Sequence, residues 1–164
     1  MMTTAETLLN TFNETRSLSN YYFNKLKDTD INCSFEVNEI PLNSAKWIMA
    51  HLVWAEEFLI LGALGGERIS MDWFEKVAFG TPMCSSEELP DIETILSSMK
   101  TVHEAVIQFV PNLSDEFLEQ KNEMGMKFGP NDSKRYLLMH AIRHEGTHAG
   151  QLGWLCKINQ LKTA

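Results

Sequence analysis

From Ser133 to about Leu161 the chain runs without a proline, and its apolar residues, among them Tyr136, Leu137, Met139, Ile142, Leu152, Trp154 and Leu155, cover more than half of a helical circumference. A helix apolar over so wide an arc has to be enclosed, either by other helices of its own chain or by a second subunit. Asp132 or Ser133 can cap its N-terminus. This one segment commits the chain to packing helix on helix.

Three earlier stretches repeat apolar residues at helical spacing, and none alternates long enough to build a sheet. Thr3 and Glu6 stand in the positions of a capping box ahead of the stripe Leu8, Phe12, Thr15, Ser19, Tyr22 and Leu26, which predicts a first helix from Thr4 to about Lys27. A polar linker from Asp28 to Asn43 follows, with Pro41 and a brief Phe35/Val37 alternation. Ser44 caps a second helix whose stripe of Trp47 or Ile48, His51, Leu52, Ala55 and Phe58 or Leu59 ends at Gly65-Gly66. Glu56 and Glu57 are expected at the surface of that helix. A third helix opens at Pro90-Asp91 and carries Ile92, Ile95, Leu96, Met99, Val102, Val106 and Phe109 up to Pro111. The expected fold is therefore all-α, a four-helix bundle with long crossover connections and one domain spanning 1–164. The connection holding Trp73, Phe74 and Phe79 is expected to form a short helical turn over the end of the bundle, and it is a candidate lid.

Composition narrows the function classes. Apolar residues at 44% and 164 residues in total suit one folded domain with a sizeable core. Twenty-two acidic against fourteen basic residues give a net charge of −8, which repels nucleic-acid backbones and anionic lipid, so no nucleic acid and no membrane is expected as partner. Trp47 to Gly66 approaches membrane-spanning length but carries His51, Glu56 and Glu57, and reads as a core helix. Cys33, Cys84 and Cys156, odd in number and widely spaced, read as free thiols of a reducing compartment. Met1 to Asn20 shows no secretory signal, and the expected location is cytoplasmic.

The chemistry sits in the histidines. His140, His144 and His148 recur every fourth residue of the last helix, which places them on one drifting face. His144 and His148 are the tighter candidate pair for a single ion, flanked by Gly146 and Gly150, which remove bulk near that face. His51 adds a third imidazole from the inner stripe of another helix. Alone, His51 reads as a hydrogen-bonded core residue; the three together favour a metal with open coordination positions, zinc if tetrahedral or nickel if octahedral. His140 is left outside the ligand set, and His103 reads as an ordinary surface or core histidine.

His144-Glu145-Gly146-Thr147-His148 also spells H-E-x-x-H, the zinc-peptidase pattern in which the glutamate activates water. Ala149 to Ala164 contain no His, Asp or Glu to complete such a site, which argues against a peptidase. Glu145 remains the candidate catalytic base, against the alternative that it is a solvated or salt-bridged carboxylate.

Asn43-Ser44 with Trp47 and His51-Leu52 in one helix, and His140, His144, His148, Gly150, Gln151 and Leu152 in the last, together resemble the DinB and YfiT-like bundles. The resemblance covers nearly the whole chain in helix order and length. It implies an up-down-down-up four-helix bundle, commonly a homodimer, holding one divalent metal, zinc or nickel, on three histidines that map onto His51, His144 and His148. It also implies a small-molecule substrate and a low-molecular-weight thiol, since characterised relatives include thiol-dependent S-transferases and an isomerase. Gln151 matches the family's glutamine, with packing or ligand support as its expected role. The expected function is a metal-dependent S-transferase or hydrolase, the alternative a non-catalytic metal-binding or interaction bundle.

Overall fold

The computed structural model describes residues 2–127 and 131–163. Four long helices dominate it: α1 (Thr4–Leu26), α2 (Ala45–Glu56), α3 (Ile92–Phe109) and α5 (Lys134–Ile158), with a one-turn α4 (Asp115–Leu118) before the last. Each starts where the local chemistry supplies a cap. The Thr3 hydroxyl accepts from the Glu6 amide while the Glu6 carboxylate accepts from the Thr3 amide. Ser44, Asp91 and Ser133 cap α2, α3 and α5 in the same way, each accepting from the amide three residues on. The Phe35/Val37 alternation becomes a two-residue strand, β1 (Glu36–Val37), paired antiparallel with β2 (Ile40–Pro41) across a turn in which Asn38 and Glu39 take positive φ.

Side-chain contacts fix the helix directions. Arg16 meets Glu145 and Tyr22 meets Gly153, so α1 and α5 run parallel. His51 meets His144 and His148 while Ile48 shares a pocket with Gln151 and Leu155, so α2 runs against α5. Lys46 reaches the Leu89 carbonyl, Glu56 meets His103 and Gly66 abuts Phe109, so α2 and α3 are parallel. The connectivity is up-down-down-up, as the family resemblance implies.

Enclosure falls on α2 more than on α5. Every residue from Ile48 to Glu57 is buried, because α3, α5 and the loop turn Phe74–Lys76 surround α2. Helix α5 keeps an open side, with Trp154 67% exposed. Glu56 and Glu57, expected at the surface, are both buried, since α2 has no solvent face at that level. Glu57 pairs with Arg68 through both carboxylate oxygens and also accepts from the Ile69 amide. From Glu57 to Gly62 the helix continues as a π-helix, and Gly65 at φ 88° ends it.

The long connection after α2 is anchored from within. Trp73, Phe74 and Val77 are buried and a 3₁₀ turn spans Phe74–Lys76, while Phe79 stands 81% exposed. Cys33, Cys84 and Cys156 are all unpaired. Among the described residues no helix is long and apolar enough to cross a membrane.

Candidate metal centre

Antiparallel packing of α2 on α5 brings His51 opposite His144 and His148. Their donor nitrogens all lie within 4.8 Å of one another, and His51 Nε2 stands 3.1 Å from His144 Nε2. Steps of four on α5 set the His144 and His148 rings 4.6 Å apart, edge to face. The sequence-expected ligand set therefore converges in space. His140, one turn back, borders the same cavity, with its ring 6.0 Å from that of His144 and its Nδ1 accepting from Arg143 at 3.0 Å.

Two of the three imidazoles are held from behind. The Val77 carbonyl accepts from His51 Nδ1 at 2.6 Å, which leaves Nε2 of the neutral ring with its lone pair turned toward the other histidines. Gln151 Oε1 accepts from His148 Nδ1 at 2.7 Å, to the same effect. Trp47 stacks on His51 with centroids 4.8 Å apart, fixing the ring plane. Burial pushes the His51 imidazole down to about 4. Burial, reinforced by repulsion from the neighbouring histidines, takes His144 to about 3, and burial lowers His148 as well. All three are neutral at pH 7, the form that ligates metal.

The fit to a divalent transition metal can be tested on this donor set. Metal–imidazole bonds of about 2.0–2.1 Å in tetrahedral array put neighbouring nitrogens about 3.3–3.4 Å apart. The His51–His144 separation of 3.1 Å is close to that. Three neutral nitrogen donors with no carboxylate among them suit zinc or nickel better than calcium or magnesium. The three histidines border a cavity of about 310 Å³, walled by Trp54, Phe58, Leu59, Phe79 and Met126.

Glu145 is directed elsewhere. Its two oxygens accept from Arg16 Nε and NH2 at 2.8 and 2.9 Å, and the Ser19 hydroxyl donates to it at 2.6 Å. Arg16 also holds Glu56 at 2.8 Å, and Glu56 in turn accepts from His103 Nδ1 at 2.7 Å. Burial works against the Arg16 charge, but the two carboxylates more than offset it and raise its pKa. The group is one enclosed ion network joining all four long helices, on the α1 side of α5. Glu145 is thus a salt-bridged carboxylate, and its partner is Arg16 on α1. Neither Arg16 nor Glu56 stood out as functional in the sequence. The available signal was a charge on an apolar stripe, since position 16 falls between Phe12 and Ser19 on the buried face of α1.

The model of the DinB superfamily matches residues 11–152. The chain belongs to the DinB superfamily. The fold is similar to that of a solved structure, the crystal structure of a conserved protein from Enterococcus faecalis, with a TM-score of 0.68 over 94% of this chain and 95% of that one. At 15% identity that likeness speaks for the fold alone. No curated protein matches the sequence. Within the DinB assignment, the three-histidine cluster fits a metal-binding site.

Proposed function

We propose that this protein is a metal-dependent enzyme in which His51, His144 and His148 hold one divalent ion, zinc or nickel, and which transfers a thiol to, or hydrolyses, a small electrophilic molecule. The observation that carries the reading is the convergence of three neutral imidazoles, two of them locked by Val77 and Gln151, on a cavity with room for a substrate. A bound divalent cation would supply Lewis acidity and lower the pKa of a coordinated thiol or water.

The chain's own residues do the rest. Val77 and Gln151 keep each Nδ1 protonated, so His51 and His148 present lone pairs without rearrangement. Trp54, Phe58 and Phe79 shed water from around the reacting groups. Glu145, with both oxygens committed to Arg16 and Ser19, is better placed to hold α1 against α5 than to move a proton. That commitment also weighs against the peptidase alternative, which needs the glutamate at the water.

This reading includes a cytoplasmic location, supported by the three unpaired cysteines, and a homodimer, supported by exposed Trp154, Met139 and Ile158 on α5. The reading is tested by turnover with a panel of electrophiles and cellular thiols, with and without zinc or nickel. Activity that needs the metal and disappears in His51→Ala supports it. Activity unchanged in His51→Ala refutes the metal-centred mechanism. A stable fold that retains metal and turns over no member of the panel would favour a non-catalytic metal-binding bundle.

A further inference from the structure

We infer that the substrate other than the thiol is a neutral, elongated, apolar molecule that offers one polar group to an ion held by the histidines and lays its hydrocarbon body along Trp54, Phe58, Phe79 and Met126; this rests on the metal-centre reading of the same histidines. Three observations carry it. Apart from the histidines, the walls of the inner cavity are Trp54, Phe58, Leu59, Phe79 and Met126, with no charged residue among them. A second cavity of about 670 Å³ shares four of those walls, Trp54, Phe58, Phe79 and Met126, and continues past Ile69 and Met71. Together they make a trough running outward from the histidines, apolar in its inner part and bordered farther out by Arg68, Ser70, Asp72 and Glu75 as well. Trp54 and Phe58, one turn apart on the helix, stack with centroids 4.8 Å apart and give it a continuous aromatic floor.

The second observation is charge. Arg68 is the one cation lining either cavity among the described residues, and its Nε and NH2 are both engaged by Glu57. The other charged residues of the trough, Asp72 and Glu75, are acidic and exposed at its outer part. An anionic tail would meet no unpaired cation on the way in and two carboxylates on the way out. Nucleotides, phosphate esters and polycarboxylates are therefore poor occupants.

The third is Phe79. It is 81% exposed and borders both cavities, on the segment that begins at Val77, whose carbonyl orients His51. A phenyl ring on a cavity rim with so little protein over it is one whose burial is left to a ligand.

The test uses the zinc-reconstituted protein and three probes with one metal-binding head: acetohydroxamate, 4-phenylbutanohydroxamate, and the latter with a para-carboxylate on its ring. Affinities are measured by titration calorimetry beside the bound zinc content. With about fourfold expected per buried methylene, the phenyl compound should bind at least about 30-fold more tightly than acetohydroxamate. The carboxylate should forfeit about tenfold or more of that gain. In Phe79→Ala the ratio of phenyl compound to acetohydroxamate, taken within the variant, should fall by about fivefold or more. Equal affinity for the first two probes, or full affinity for the carboxylate, would overturn the inference while leaving the metal centre standing. Failure to retain zinc or to bind acetohydroxamate would overturn the metal-centre reading, and this inference with it.

Discussion

Arg16 on α1 donates from Nε and NH2 to the two oxygens of Glu145 on α5, at 2.8 and 2.9 Å, one residue along from His144. The same guanidinium holds Glu56, five residues after His51, at 2.8 Å. One buried cation therefore ties together the two helices that carry the metal-ligand candidates. Arg16→Met leaves two carboxylates buried without it, and is expected to destabilise the fold by about 3–5 kcal/mol. Urea denaturation checks this. The triple variant Arg16→Met/Glu56→Leu/Glu145→Leu should recover much of the loss, because what is costly is the uncompensated charge.

Glu145→Gln separates a structural carboxylate from a catalytic base. The amide keeps the shape but gives Arg16 only one acceptor oxygen, so stability should fall by about 1–3 kcal/mol. Zinc content should be retained. A large loss of kcat with unchanged stability would instead assign Glu145 the base role.

Much of this architecture is legible in the sequence, because caps and apolar spacing are local signals. Thr3, Ser44, Asp91 and Ser133 mark the helix starts as expected, and the ends of α1 and α5 move by one and about three residues. The histidine trio is legible too: spacing of four fixes His144 and His148 on one face, and His51 lies on an inner stripe. The ion network is not, because its partners stand 40 and 129 residues apart and charged residues default to the surface in any local reading. Apolar spacing alone therefore draws the stripe of α1 through Thr15, whereas the buried face passes through Arg16. Glu56 and Glu57 depart from expectation for a related reason: a stripe on α2 implies an opposite exposed face, and the surrounding elements leave none at that level.

Gln151 acts through His148. Removing its acceptor in Gln151→Ala frees the His148 ring to rotate and change tautomer, which should weaken zinc binding about 10- to 100-fold. Gln151→Glu, which keeps an oxygen there, should retain most of the affinity. Competition against a chelator of known zinc affinity reads both, and unchanged thermal stability in Gln151→Ala would show that the effect is on the ligand.

The metal-free protein should lose stability toward acid. Burial holds His51 at about 4 and His144 at about 3, both below the ordinary value of 6.5. As pH falls through about 6.5 these residues take up protons in the unfolded chain first, so unfolding becomes progressively easier down to the folded values. Above that range they contribute no pH dependence. Tm of the metal-free protein should therefore drop between pH 7.5 and pH 5, at roughly 2–4 °C for each kcal/mol lost. The drop should shrink in His51→Gln/His144→Gln.

Metal content is the most direct test of the central claim. Tag-free protein, His51→Ala and His144→Ala would be compared by plasma mass spectrometry after equilibration with zinc and nickel and removal of excess ion. About one ion per chain in the parent, lost in both variants while their helical circular dichroism is retained, is the expected result. A parent that retains no ion, or variants that keep it at the parent level, would contradict the account.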